Sequence, residues 1–141
     1  MTYTYQYPRP AVTVDAILIS RKQYTVLLIE RGREPFKEQW ALPGGFIEMD
    51  EELDAACRRE LEEETGIRVG DLKQFRAFGS VNRDPRHRTI SVIFYTYLED
   101  EIPARAGDDA SRAKWFPIGD LPELAFDHRL ILDEFIKDVL N

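Results

Sequence analysis

The stretch from Gly45 to Ile67 constrains this chain more than any other. It carries nine carboxylates, on Glu48, Asp50, Glu51, Glu52, Asp54, Glu60, Glu62, Glu63 and Glu64, against two bases, Arg58 and Arg59. Its net charge of -7 equals that of the whole 141-residue chain, because the remaining residues hold 17 acids and 17 bases. Leu53, Ala56, Cys57 and Leu61 recur at helical spacing, so the pattern predicts a helix over residues 50–65, with Asp50 as its N-cap and Gly66 as its stop. The apolar stripe of that helix needs a surface to pack on. Glu60, Glu63 and Glu64 lie three and four apart and therefore share a face, with Cβ atoms about 5–6 Å from one another. Like charges that close repel and raise each other's pKa unless a cation is present. No lysine follows at i+4 to relieve them.

Two readings of this helix stand side by side. One is a solvated acidic face. The other is a site for a hard divalent cation, Mg²⁺ or Mn²⁺, which prefers oxygen ligands; Mg²⁺ also keeps waters free for substrate phosphates. Zinc finds no His/Cys cluster, and calcium finds no loop of alternating acids around a central glycine. Gly44 and Gly45, just before the helix, let the backbone approach a ligand and present a carbonyl to it. A bare pair of glycines is a weak signal for a phosphate cradle.

The rest of the chain supplies the packing partners. Residues 11–20 (AVTVDAILIS) and 25–30 (TVLLIE) read as β-branched strands, and 31–40 as a polar loop. LPGGF (42–46) reads as a turn. A strand is expected over 71–81, a polar loop over 82–88, and the clearest strand of the chain over 89–99. The loop 100–110 leads to a short strand at 113–118. Asp120 and Pro122 mark a turn or short helix. A last helix over about 127–140 carries two apolar rows, Ile131, Phe135, Val139 and Leu132, Ile136, Leu140. Strands and helices interleave without regular βαβ alternation, which predicts an α/β sandwich with a central mixed sheet covered on both faces.

Length predicts a single domain over residues 1–141. The lone cysteine, Cys57, excludes an internal disulfide, reads as a small buried hydrophobe, and points to a reducing, cytoplasmic setting. No apolar run nears the roughly 20 residues that cross a bilayer, and the start MTYTYQYPRP has no signal-peptide pattern. A pI near 4.9 argues against a nucleic-acid-binding face.

The segment GGFIEMDEELDAACRRELEEETGI resembles the Nudix hydrolase signature. Gly45, Glu51, Arg59, Glu60, Leu61, Glu63, Glu64, Gly66 and Ile67 match its fixed positions without departure. At typical residue frequencies a chance match is about 1 in 10⁸ or rarer per start position, which sets aside the merely solvated acidic face. The resemblance implies a Nudix-type α/β/α sandwich that hydrolyses a nucleoside diphosphate linked to another group, with Mg²⁺ or Mn²⁺. It implies that Glu60 and Glu64 are the principal metal ligands. Glu63 would share metal binding or orient the water, and the Gly44 carbonyl would be a further ligand. Arg59 would pair with Glu51 or a neighbouring glutamate and hold the cluster. Gly45 would line the substrate.

Asp108 and Asp109, after the long strand, are candidates for a general base that deprotonates the water; the alternative is a plain polar turn. Arg31, Arg33, Arg83 and Arg86, with Arg88, are candidate partners for the substrate's anion, since a guanidinium can grip phosphate through two parallel hydrogen bonds. A solvated loop is the alternative for each. SVNRDPRHRTISVIFY, AGDDA, WFP and LAFDHRLIL, with Pro85 in the downstream loop, look like the ADP-ribose pyrophosphatase branch. That branch would yield AMP and ribose 5-phosphate. Phe36, Phe75 or Tyr97 could stack on adenine, although core packing is the commoner fate of such rings. His87 and His128 belong to no catalytic triad and read as structural or exposed.

Two other functions stay open: housecleaning of oxidised or noncanonical nucleoside triphosphates, and a sensor that binds ADP-ribose without cleaving it. Some Nudix-like regulators add a DNA-binding winged helix. Sheet strands and the last helix are expected to take up the residues after Ile67, leaving no room for one. The expected partner is a small nucleotide, with no nucleic acid and no membrane. A homodimer is compatible with such a domain, but nothing in the sequence fixes an interface.

Overall fold

The computed structural model describes residues 2–107 and 110–140, apart from the side chain of Ser111. Its elements in chain order are β1 (Ala11–Ser20), β2 (Thr25–Arg31), β3 (Trp40–Ala41), β4 (Gly44–Phe46), α1 (Leu53–Thr65), β5 (Lys73–Phe78), β6 (Thr89–Leu98), β7 (Ala110–Pro117) and α2 (His128–Phe135). A π-helical turn over Ile136–Leu140 continues α2.

All seven strands join one sheet in the order β3-β2-β1-β6-β5, with β4 on β1 and β7 on β2. β1 and β6 run parallel over ten residues, from Ala11 opposite Thr89 to Ser20 opposite Leu98; the other pairings are antiparallel. The sheet is therefore mixed, as its interleaved strands predict. β1 is central and buried from Thr13 to Ser20, which is why it reads as a nearly unbroken apolar run.

Alternation along β1 sends side chains into two cores. Val14, Ala16 and Leu18 pack with Ala56, Cys57 and Leu61 of α1. Ile17 and Ile19 pack with Ile131, Leu132 and Phe135 of α2. The result is the expected α/β/α sandwich, one helix on each face. Cys57 is buried in the α1 core, as expected, and burial pushes its thiol pKa up. Among the described residues no helix is long and apolar enough to cross a membrane.

Several boundaries differ from the sequence reading. α1 begins at Leu53, so Glu52 rather than Asp50 is the N-cap; Glu52 has extended backbone and makes no side-chain capping bond. Gly66 does stop the helix, in the left-handed region at φ 74° with its N–H on the Glu62 carbonyl. The expected strand over 71–81 shortens to Lys73–Phe78, and β7 starts at Ala110, inside the expected loop. The last helix stops being α-helical at Phe135. The expected turn at 42–46 contains a strand. Gly44 and Gly45 pair with Asp15 and Val14 of β1. A Cβ on Gly44 would lie 2.2 Å from Asp15 Oδ1 and from the Val14 carbonyl oxygen. Glycine here permits close approach of two backbones, not reversal of the chain.

Candidate active site

A cavity of about 320 Å³ opens where β4, the inner face of α1, the 82–88 loop and the start of α2 meet. Of the residues singled out in the sequence, Gly44, Gly45, Glu60, Glu64, Arg31, Arg33, Arg83 and Arg86 line it. Carboxylates and guanidinium groups that are far apart in the chain thus line one cavity.

The acidic wall is built by helical spacing. Glu60 and Glu64 sit one turn apart on α1 and reach the cavity together. The Gly44 N–H donates to Glu64 Oε1 at 2.6 Å. A Cβ on Gly45 would lie 2.5 Å from Glu60 Oε2, so only glycine leaves the carboxylate its place. Burial raises the Glu60 pKa, against the opposing pull of Arg59. Arg59 is tied on several sides. Its Nε and Nη2 donate to Glu51 at 2.9 and 2.6 Å, and its Nη1 donates to Glu60 at 2.9 Å and Glu63 at 3.3 Å. This is the pairing expected of it, and these bonds hold the Glu51 carboxyl below its usual pKa. Glu63 does not reach the cavity lining; its side chain is 60% exposed beside Arg59.

The donors on this wall are all oxygen: two carboxylates and the nearby backbone of β4. That set suits a hard dication, and the absence of a Cβ at Gly45 lets the Glu60 carboxylate lie directly against β4. Among the described residues, no three His, Cys, Asp or Glu side chains converge as they stand, and Glu60 and Glu63 are each paired with Arg59.

Arg31, Arg86 and Arg83 are each anchored by hydrogen bonds. Arg31 Nε donates to the Pro35 carbonyl at 2.7 Å. Arg86 donates through Nε and Nη2 to the Asp84 carboxylate, at 3.1 and 2.8 Å. Asp84 is buried, and its pKa is lowered because these bonds outweigh the effect of burial. Arg83 differs from the sequence expectation of a loop cation. Its side chain is only 4% exposed. It donates to both Asp127 oxygens, at 2.9 and 2.6 Å, and to Ser91 Oγ at 2.7 Å. Arg83 therefore forms the floor of the cavity, clasping the 82–88 loop to the start of α2. Arg88 lies outside the cavity lining. Asp108 and Asp109 lie outside the described residues.

The sequence reading missed Asp15. It is 6% exposed, lines the cavity and sits next to Gly44. Burial raises its pKa to about 7, against the pull of Arg83. His128 is buried too, with its pKa depressed to about 4 by burial. Its Nδ1 accepts the Leu42 N–H at 3.0 Å, and the residue also lines the cavity. Of the proposed adenine-stacking rings, Phe75 and Tyr97 pack in the core around α2, and Phe36 packs on Phe126.

Residues 9–139 match the NUDIX domain family. The chain belongs to the Nudix hydrolase family. This Nudix protein is 41% identical over 132 residues to the ADP-ribose pyrophosphatase of Methanocaldococcus jannaschii (93% of this chain, 76% of that protein). It is 34% identical over 141 residues to the ADPR responsive transcriptional repressor NtrR of Acinetobacter baylyi (96% of this chain) and spans only 56% of that relative's length. The Nudix domain of Shewanella oneidensis NrtR, solved in complex with ADP ribose, superposes with a TM-score of 0.87 at 30% identity, covering 96% of this chain and 91% of that one.

Proposed function

We propose that this Nudix enzyme hydrolyses ADP-ribose to AMP and ribose 5-phosphate with Mg²⁺ or Mn²⁺. The observation that carries the reading is the meeting of Glu60 and Glu64 with Arg31 and Arg86 in one cavity, in a chain 41% identical to an ADP-ribose pyrophosphatase. Glu60, Glu64 and the Gly44 carbonyl would hold the cation, with Glu63 close by. When bound, such an ion neutralises phosphate oxygens and makes a coordinated water more acidic.

The protein's own residues do the rest. Arg59 spaces the glutamates so that mutual repulsion does not splay them. Arg31, Arg33 and Arg86 bind and orient the diphosphate. Water adds to one phosphorus, the bridging oxygen leaves with the other phosphate, and the proton passes to a base. Asp108 and Asp109 remain the candidates for that base, and Gly45 lines the substrate. Most of the rate gain comes from positioning and charge stabilisation.

Similarity to NtrR favours a second reading, in which ADP-ribose is bound and left intact. The intact glutamate set favours turnover. A panel of ADP-ribose, NADH, diadenosine polyphosphates and 8-oxo-dGTP, run with each metal, tests both readings and the housecleaning alternative. AMP and ribose 5-phosphate formed fastest from ADP-ribose is the expected result. Equal sluggishness on all substrates would overturn the assignment, and tight ADP-ribose binding without product would favour the sensor.

A further inference from the structure

We propose that Phe126 is a positioning residue whose ring holds Arg31 and Arg86 together as a paired grip for the substrate's diphosphate. The inference rests on the diphosphate reading of the cavity and extends it to a residue with no chemistry of its own.

The Arg31 guanidinium lies 4.9 Å from the Phe126 ring centroid, and that of Arg86 lies 5.5 Å from it. Arg86 is also 5.3 Å from the ring of Phe46. Phe126, Phe46 and both arginines line the same cavity. A cation over an aromatic face is attracted by the ring quadrupole, more strongly where water is excluded. Each guanidinium is tethered at one edge, Arg31 to the Pro35 carbonyl and Arg86 to Asp84. An edge tether and a face contact together restrict a side chain that is otherwise rich in rotamers. Two like charges on one ring also repel. Burial, and then the field of Arg86, draws the Arg31 pKa down. A dianionic ligand relieves this repulsion; an apolar or neutral one does not.

The backbone points the same way. Phe126 sits in the left-handed region at φ 54°, as does Phe36 at φ 62°, and their rings meet at 4.8 Å. Bulky residues seldom adopt that conformation, and it persists only where the surroundings enforce it. Here they do: the Ala125 N–H bonds the Trp40 carbonyl at 2.8 Å, and the His128 ring packs 5.5 Å from Phe126. The strained conformation presents the ring to both arginines.

The test replaces Phe126 with Leu, which keeps apolar bulk but removes the quadrupole, and with Tyr, which restores it. Binding of inorganic pyrophosphate in magnesium buffer is measured by calorimetry, beside ADP-ribose kinetics. Phe126→Leu should weaken pyrophosphate about tenfold, and Phe126→Tyr should recover to within about twofold of the parent. KM for ADP-ribose should rise in parallel while kcat changes less than about threefold. Circular dichroism checks folding; should the Leu variant not fold, Phe126→Met carries the same expectation. Unchanged pyrophosphate affinity in the Leu or Met variant, failure of Tyr to restore it, or no pyrophosphate binding by the parent would each overturn the inference. If the parent leaves ADP-ribose intact while the affinities shift as expected, the proposed reaction fails and the grip stands.

Discussion

An added methyl group separates the two neighbouring glycines of β4 by what it meets. At Gly44 the new Cβ would lie 2.2 Å from the Val14 carbonyl oxygen and 2.9 Å from Asp15 Cα, atoms of the buried central strand that cannot step aside. At Gly45 its three nearest neighbours are all atoms of the Glu60 carboxylate, the far end of a flexible side chain. Gly44→Ala must therefore push β4 off β1. Overpacking of that kind costs about 1–3 kcal/mol, offset by about 0.4–1 kcal/mol from the less flexible unfolded chain. The net loss of about 1–2 kcal/mol lowers Tm by about 3–7 °C for a domain of this size. In Gly45→Ala, Glu60 swings away instead, so stability changes by less than about 1 kcal/mol. Displacing this proposed cation ligand should lower kcat/KM for ADP-ribose about 10²-fold, the scale of a misplacement near 1 Å. Thermal denaturation and initial-rate assays on the two variants check this. A Gly45→Ala enzyme of normal activity, or one destabilised as much as Gly44→Ala, would refute the reasoning.

Glu64→Gln should lower turnover by about 10²-fold or more with the fold intact, since it removes a proposed cation ligand and the charge stabilisation that depends on it; circular dichroism with steady-state rates checks it. Arg59→Lys should lower turnover as well, because an ammonium cannot reproduce the two-edged contact with Glu51 and Glu60; a rate equal to the parent's contradicts that role. Stability against pH offers a separate check, made in EDTA. The Asp15 pKa is raised from 3.8 to about 7, so its contribution is fully present below pH 3.8 and is lost as pH rises through 7. The His128 pKa is depressed from 6.5 to about 4, so its contribution is present above pH 6.5 and is lost as pH falls through 4. The two oppose each other across much of this window. Asp15→Asn should therefore gain stability relative to the parent as pH rises from about 4 to 7; a difference in Tm that stays constant with pH would show that Asp15 does not titrate in this range.

Much of this structure is legible in the sequence because it depends on local spacing. The apolar stripe of α1 and the unbroken run of β1 follow from periodicity and burial alone, and Gly66 ends its helix as its lack of a Cβ allows. What escaped depends on contacts distant in the chain. The glycine pair reads as a turn because a sequence does not distinguish glycine used for close approach from glycine used for reversal; the deciding atoms belong to Val14 and Asp15. Asp15 itself passes as an outward-facing residue among β-branched neighbours, until the fold sets it beside Gly44 with Ser91 and Arg83. Arg83 looks like its neighbours in a polar loop and becomes a buried clasp only once Asp127 arrives from the other end of the chain. Phe126 carries no local mark of its left-handed backbone, which Trp40 and His128 enforce through tertiary contacts.

Glu60, Glu64 and the Gly44 carbonyl are proposed to hold a cation between α1 and β4. Crystals soaked in manganese chloride, measured at the manganese edge, test this directly. An anomalous peak touching Glu60, Glu64 and the Gly44 carbonyl is the predicted result. A featureless map in that cavity, from crystals whose protein still cleaves ADP-ribose in EDTA, would contradict it.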